Sequence, residues 1–408
     1  MNLHDTLAWL RFAAANTRRN RRRSIVTLTI AALGTAAILL AGGFALFTYE
    51  GLAQQAARDS GHLIVAQPAH FDGDEDVPLQ HGLDNAQALT QKLLADPHVR
   101  QVLPRVEFNG LISNGDKSTV MMAVGIAPDA EFSVKGPFLT VKAGRVLGND
   151  DRDAVMLGAR LARSLKAEPG SGLTLLASTA EGALNAQDVV VQGIVATGVP
   201  EIDARLVYTD VATAQKLLAS PRVSSLGVFL DRMDATDAAQ QRLQAALPAL
   251  AVKTWLDQAT FYKSVKDLYN RIFGALGLII GVIVVFVVTN AMAMAIIERT
   301  REIGTLRALG TLPGQLQGSL ALEGLLLGGA GAALGALLSL AVGVALLVFP
   351  VQMPPAPGRS VGYPLQISMD PALYLATLAA MLVLSMLAAA LVARSTVRQP
   401  VVQALAHT

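Results

Sequence analysis

The sequence predicts a membrane α-helical protein with four transmembrane helices, both termini inside, and a large α+β domain between the first and second helices. Three observations carry this. The 408 residues are 52% hydrophobic and only 16% charged, against about 25% charged in ordinary globular chains. The apolar residues gather in four uncharged runs, Ile25 to Phe47, Ile272 to Ile297, Leu325 to Phe349 and Ala372 to Ala393, of 23, 26, 25 and 22 residues. A bilayer core of about 30 Å needs roughly 20 helical residues, so each run is long enough to span. Lys and Arg also cluster in alternate flanks, as the positive-inside rule requires.

The flanks orient the chain. Arg11, Arg18, Arg19, Arg21, Arg22 and Arg23 precede the first run, Arg299, Arg301 and Arg307 lie between the second and third, and Arg394 and Arg398 follow the fourth. The short loop 350–371 holds only Arg359. Both termini and the 298–319 segment are therefore expected in the cytoplasm, and residues 48–271 on the other side. That region carries 21 Lys and Arg against 26 Asp and Glu, so the net +2 divides into an outer domain of −5 and a cytoplasmic face of +7. The basic balance reflects topology and contact with anionic lipid rather than nucleic-acid binding. Cysteine is absent, which excludes disulfides without fixing the compartment.

Taken in order, residues 1–24 place Leu3, Leu7 and Leu10 at helical spacing before the arginines, the pattern of an interfacial helix on the cytoplasmic leaflet. Residues 25–47 form the first span. At 23 residues the run exceeds the 7–15 of a secretory signal, and it reads as an uncleaved anchor. Within 48–271, HLIVAQ and STVMMAVGIA read as strands and NAQALTQKLLADP as a helix stopped by its Asp-Pro. DAVMLGARLARSLKAEPGSGLTLLAS reads as helix, turn and strand, and DVVVQGIVATGV is β-rich. TDVATAQKLLAS opens on a capping Thr or Asp, and TDAAQQRLQAALPAL is a further helix. Strands mixed with helices over this length predict an α+β domain of two subdomains. From Trp255 to Arg271 the pattern is helical, with Phe261, Val265, Leu268 and Ile272 on one face, and no Gly or Pro interrupts it before Gly274. A stalk helix thus runs into the second span, 272–297. The third span lies within 320–349 and the fourth is 372–393, with a cytoplasmic tail from 394 to 408.

Catalytic constellations are scarce. GLISNGDKS resembles a phosphate loop, but an Asp follows its second Gly and a strand rather than a helix follows it. His62, His70 and His81 flank Asp72, Asp74, Glu75 and Asp76 without a fixed-ligand spacing, which suits a solvated loop. No Ser-His-Asp arrangement, H-E-x-x-H or nucleophile elbow is visible. The expectation is a chain that is not an enzyme, holds neither metal nor cofactor, and leaves any ATP hydrolysis, with its Mg, to another chain. In the third run Gly331, Gly335, Ser339 and Gly343 recur every four residues, and Gly277 and Gly281 do so in the second. Small residues at this spacing let helices approach closely, within one subunit or between two. No span carries an ionisable residue in its middle, which argues against an ion-coupled carrier.

The segment ERTREIGTLRALG holds five charges between two apolar runs. Glu298 with Arg301, and Arg299 with Glu302, are opposite charges at i, i+3. Ile303, Leu306 and Leu309 form one apolar stripe before Gly310 and Pro313 end the helix. Charged edges flanking an apolar stripe suit docking in a groove on a partner. The plain alternative is a solvated loop kept inside by its arginines.

IIERTREIGTLRALGTLPGQL followed by LEGLLLGGAGAALGALLSLAVG resembles the signature of FtsX-like ABC-transporter permeases. Glu298, Arg299, Arg301, Glu302, Ile303, Gly304, Arg307, Ala308, Gly310, Glu323 and Gly324 match it, and NTRRNRRRSIVTLTIAALG is similar to the family's approach to its first span. AVMLGARLARSL and VVVQGIVATGVPEIDARLVYTDVATAQKLL resemble the periplasmic core domain of macrolide-exporter and lipoprotein-releasing permeases. The resemblance implies an inner-membrane permease of bacteria, acting as a homodimer or heterodimer. A cytoplasmic ABC ATPase pair would dock on 298–310 and drive the periplasmic domains through the stalk helices, by mechanotransmission. Macrolide exporters fuse the ATPase to the permease, so here it is expected on a separate chain. The implied work is outward movement of a lipoprotein, lipid or other amphiphile, with a periplasmic adaptor or carrier as a further partner. The alternative is an ATP-driven signalling scaffold acting on a cell-wall hydrolase. The Pro-rich loop, with Met353, Pro354, Pro355 and Tyr363, is either a rigid connector or a contact for cargo or partner.

Overall fold

Each uncharged run lies within a longer helix, except that Phe349 caps the third. The computed structural model describes residues 21–73, 75–135, 139–298, 300–353 and 362–397. Helices Arg21–Ser60, Thr260–Glu298, Pro313–Val348 and Pro371–Val397 are all long and apolar enough to cross a membrane. Their ends follow local chemistry. The first stops where Gly61, at φ +100°, turns left-handed and donates its N–H to the Ala57 carbonyl at 2.8 Å, the usual glycine termination. The third begins with Pro313 in its first turn, where a missing N–H costs nothing. At the fourth, the Asp370 carboxylate accepts from the N–H groups of Ala372 and Leu373, both at 3.2 Å, as an N-cap does.

The chain divides into a helical unit, comprising the residues up to Glu50, Val265–Gln352 and those from Pro364 onward, and an α/β unit of Gly51–Ser264 with Met353–Tyr363. In the helical unit Val284, Val288, Met292 and Ile296 repeat every four residues along the second helix and are buried with Leu316, Leu320, Met381 and Ala389. Leu278, Phe286 and Leu391 point outward, 66–70% exposed, as side chains solvated by hydrocarbon do.

The small residues of the third helix decide its packing. A Cβ on Gly331 would stand 2.6 Å from the Ala31 Cβ. One on Gly335 would collide with the Ala32 carbonyl and lie 2.7 Å from the Thr35 Cβ. Gly343 packs on Met369, and the Ser339 hydroxyl lies 3.0 Å from that of Tyr374. This row therefore serves contacts inside one subunit. Gly277 has no atom within 4 Å of its Cβ position, and Gly281 has only Leu384 at 3.9 Å.

Among the described residues the sheet of the α/β unit has ten strands: β1 Leu63–Ala66, β2 Val99–Ser113, β3 Ser118–Ile126, β4 Thr140–Gly144, β5 Ala154–Gly158, β6 Gly172–Ser178, β7 Leu184–Ala196, β8 Leu206–Asp210, β9 Ser225–Leu230 and β10 Ala251–Thr254. Their order is β10-β1-β9-β2-β3-β8-β5-β7-β4, with β6 pairing to β2 and β7. β2 joins two lobes. Its first half pairs antiparallel with β9, from Val99↔Leu230 to Arg105↔Ser225, and its second half with β3, from Val106↔Gly125 to Ser113↔Ser118. The pairs β3–β8 and β5–β7 are parallel. Helices Ala86–Leu94, Ala159–Leu165, Val211–Leu218 and Thr236–Ala246 bury Leu93, Leu161, Leu217 and Leu243 in the main core. A smaller core of Ile126, Met156, Val195, Leu206 and Tyr208 meets Phe132 of helix Pro128–Lys135.

Several expectations change. AVMLG, Ala154–Gly158, is strand β5 rather than the start of a helix, which begins only at Ala159. Its five residues are buried throughout, so no alternation marks them. The stretch from Trp255 is broken at Ala259, where a short helix capped by Thr254 and Asp257 ends, and the long helix then runs unbroken through Gly274. On the face that carries Phe261, Val265, Leu268 and Ile272, Leu268 and Ile272 are more than half exposed, while Tyr262 is buried. GLISNGDKS is the hairpin between β2 and β3, where the Asn114 side chain accepts from the N–H of Asp116 and of Lys117. No cluster of three metal-type ligands occurs among the described residues. His62 accepts from the Leu230 N–H at 3.1 Å, and His70 lies 3.4 Å from Glu75. Of the interfacial helix expected over residues 1–24, residues 1–20 lie outside the described residues, as do Asp74 and the tail beyond Val397, while 21–24 belong to the first long helix.

Replacing Gly335 by Leu forces a side chain into the first helix and should destabilise the helical unit by roughly 1–3 kcal/mol, the usual range for overpacking. Gly277→Leu should leave it unchanged. Thermal unfolding of the two variants in one detergent distinguishes them.

Candidate functional site

Two regions concentrate charge against apolar surroundings: the segment after the second long helix, and the underside of the sheet in the α/β unit. In the first, helix Thr300–Ala308 follows Glu298. Arg299 lies outside the described residues, and for Glu298 and Arg301 only the backbone is described. The short helix ends at Gly310, with φ +99°. The Gly310 N–H donates to the Arg307 carbonyl and that of Thr311 to Leu306, both at 3.1 Å, which closes the last turn.

The apolar stripe on this helix divides. Ile303 is 6% exposed and sits in the core with Ile296, Leu316 and Leu320, with Leu306 packed against it. Gly304 is buried as well. Leu309, by contrast, is 80% exposed and Leu312 62%. The surface left open therefore comprises Glu302, Thr305, Ala308, Leu309 and Gly310, with Arg307 half-buried beside it. The stripe anchors the helix on its own subunit, and what remains for a partner is a mixed polar edge ending in two exposed leucines. Of the Pro-rich loop, Met353 and Tyr363 lie in the short pair β11 Gln352–Met353 and β12 Tyr363–Pro364. Pro354 and Pro355 lie outside the described residues.

The second region was not marked by any motif. Arg105 on β2 is 5% exposed and donates from Nη2 to Glu131 Oε1 at 2.8 Å, and Glu131 is wholly buried. Lys135, one turn further along the same short helix, reaches Glu131 Oε1 and Asp59 Oδ1, each at 3.1 Å. Its Nζ also lies 3.3 Å from the Tyr208 hydroxyl and 5.1 Å from that ring's centroid. Arg105 Nη1 donates to the Asp59 carbonyl in the last turn of the first long helix, so a cation stands at the negative end of that helix's dipole.

Burial alone would drive the Lys135 ammonium to a lower pKa, but Tyr208, Asp59 and Glu131 outweigh it and hold the pKa above the ordinary 10.5. Burial likewise acts against charge on Arg105, and Glu131 with Asp59 reverses it. The bridges are unequal. The Asp59 side chain is 68% exposed, so its link to Lys135 is worth little in solvent. Arg105 and Glu131 are both desolvated, and neither is tolerable without the other. Arg105 Nε and Glu131 Oε2 have no partner among the described residues.

Comparison with known proteins separates two parts of the chain. Residues 24–246 match the model of the MacB-like periplasmic core domain, and residues 274–401 that of the FtsX-like permease C-terminal region. The chain is 24% identical over 234 residues to the lipoprotein-releasing system transmembrane protein LolE of Haemophilus influenzae, covering 55% of this chain and 56% of that protein. It is 28% identical over 224 residues to the lipoprotein-releasing system transmembrane protein LolC of Neisseria meningitidis serogroup B, covering 52% and 53%. The chain thus spans about half the length of these curated relatives. The periplasmic region of MacB from Actinobacillus actinomycetemcomitans aligns at 16% identity with a TM-score of 0.36, over 49% of this chain and 91% of that one.

Replacing Glu131 by Gln removes the counter-ion shared by Arg105 and Lys135. It should cost about 3–5 kcal/mol, the range for breaking a buried pair, read as a lowered thermal midpoint of the full chain at pH 7. Arg105→Met combined with Glu131→Met should recover much of that loss. Because the Lys135 pKa is raised on folding, its contribution is complete below about pH 10 and is lost as pH rises through the folded value. Midpoints at pH 7 and pH 9 should therefore show no loss from this group.

Proposed function

This chain belongs to the ABC-transporter permease family of the MacB, LolC and FtsX type, and from that premise we propose that it is the permease subunit of a system driven by a separate cytoplasmic ATPase. The observation that carries this is the succession of the two family regions, 24–246 and 274–401, with the helix Thr260–Glu298 leading into the second. The cargo class is an amphiphile, a lipoprotein or a lipid, taken from the inner membrane or periplasm. The two lipoprotein-releasing relatives support that class. Mechanotransmission is the mechanism that suits the chain: the ATPase grips the exposed edge around Glu302, Arg307 and Leu309, and its closure moves the long helices.

A second permease subunit, identical or related, completes the assembly in this reading. The open Cβ position at Gly277 offers the close approach that helix association in a membrane uses. The bilayer itself is the third partner.

The test begins with co-purification. An ATP-hydrolysing chain should be recovered with the protein from its native membrane, and reconstitution should stimulate its hydrolysis. Glu302→Ala with Leu309→Ala should return hydrolysis to the unstimulated level while membrane insertion is unchanged. Recovery of the protein with no such ATPase would overturn the reading. Recovery with an ATPase and a cell-wall hydrolase, but with no amphiphile, would favour the signalling scaffold instead.

A further inference from the structure

The α/β unit holds an apolar chamber of about 540 Å³, within the ~300–1,000 Å³ typical of small-ligand sites. Its walls come from the last turns of the first long helix, through Leu52 and Ala56, from Val199 and Ile202, and from Trp255 and Tyr262. The two aromatic rings meet edge to face, with centroids 5.2 Å apart. Leu52 follows Phe47, the last residue of the first apolar run, by five positions on one continuous helix. A second chamber of about 190 Å³ shares Gln55, Asp59, Val199 and Ile202 with the first. Its remaining walls set Arg58, Arg105, Lys135 and Glu107 among apolar side chains such as Val124 and Leu139. One wall thus presents the buried Arg105, whose Nε lacks a partner among the described residues.

An apolar chamber opening beside a smaller one of mixed charge has the shape of one molecule with two ends. We propose that the pair binds a single-chain zwitterionic amphiphile, with its alkyl chain between Ile202 and Trp255 and its phosphate-bearing head beside Arg105 and Lys135. The mixed signs favour a zwitterion. Arg58, Arg105 and Lys135 would meet the phosphate, while Asp59 and Glu107 would meet the cationic group. A diacyl lipid exceeds the larger chamber, whose rim also carries Gln55, Ser60, Glu201 and Gln258. The site rests on the permease reading only for the name cargo. Binding itself needs no ATPase.

The sequence has two tryptophans, Trp9 and Trp255, so Trp9→Phe leaves Trp255 as a single reporter in the full chain. The probe is lysophosphatidylcholine with a nitroxide on its chain, added to that protein in phosphatidylcholine nanodiscs. Saturable quenching of Trp255 is expected. Ala56→Phe, which fills the chamber, should weaken it about tenfold or more, as should Val199→Phe, a second filling variant in case the first disturbs folding. Lys135→Gln should weaken the zwitterion but not a nitroxide-labelled alkyl maltoside. Quenching that grows linearly with probe and ignores both filling variants would mean bilayer partitioning alone and would overturn the site. Equal saturation by the maltoside would overturn the assignment of the head. Either result leaves ATPase co-purification, measured on the same membranes, free to stand or fall separately.

Discussion

The α/β unit depends on one buried ion pair, Arg105 with Glu131. A guanidinium at 5% exposure and a carboxylate at none are each costly to desolvate, and each is tolerable only because the other is there. The pair therefore demands that β2 and the helix Pro128–Lys135 keep their places together. Arg105 also holds the Asp59 carbonyl, which brings the end of the first long helix under the same constraint. Lys135 and Tyr208 then fill the space around the pair. Its consequence is that the foot of the sheet has one arrangement rather than several.

The helical unit is governed by a different rule. Without a hydrophobic drive between helices in lipid, close contact and satisfied polar groups decide which helices adjoin. Gly331 and Gly335 bring the third helix against the first at Ala31, Ala32 and Thr35, and Gly324 and Gly328 bring it against the fourth at Ala389 and Ser385. The third helix thus touches both the first and the fourth, and Gly324, Gly328, Gly331 and Gly335 are taken up by contacts within the chain. The second helix contributes Val284 and Val288 to the shared core and keeps Gly277 open.

Much of this was legible in the sequence. Uncharged runs longer than a bilayer core announced the four helices, because length and charge are local properties. Asp210 announced the helix Val211–Leu218, since its side chain accepts from the Thr213 N–H. What was illegible depended on burial from both sides or on partners far apart in sequence. β5 and β9 are buried at every residue, so period-two alternation vanishes and helix cannot be told from strand. Ile303 looked like part of a docking stripe because a helical wheel shows that a face is apolar, but not what covers it. Asp59, Arg105, Glu131, Lys135 and Tyr208 span 150 positions and form no motif. Only the fold assembles them.

The fifteen residues of β2 belong to both lobes at once, paired to β9 on one side of Arg105 and to β3 on the other. A strand shared in this way makes the lobes inseparable as evolutionary parts. Recombination that exchanged one lobe for a homologue's would have to cut through a ladder whose two halves must keep the same alternation of faces. The viable crossover points are instead the hairpin at Asn114–Lys117 and the loops between later strands. Divergence among such chains should therefore accumulate as grafts at the sheet's rim, around a strand inherited whole.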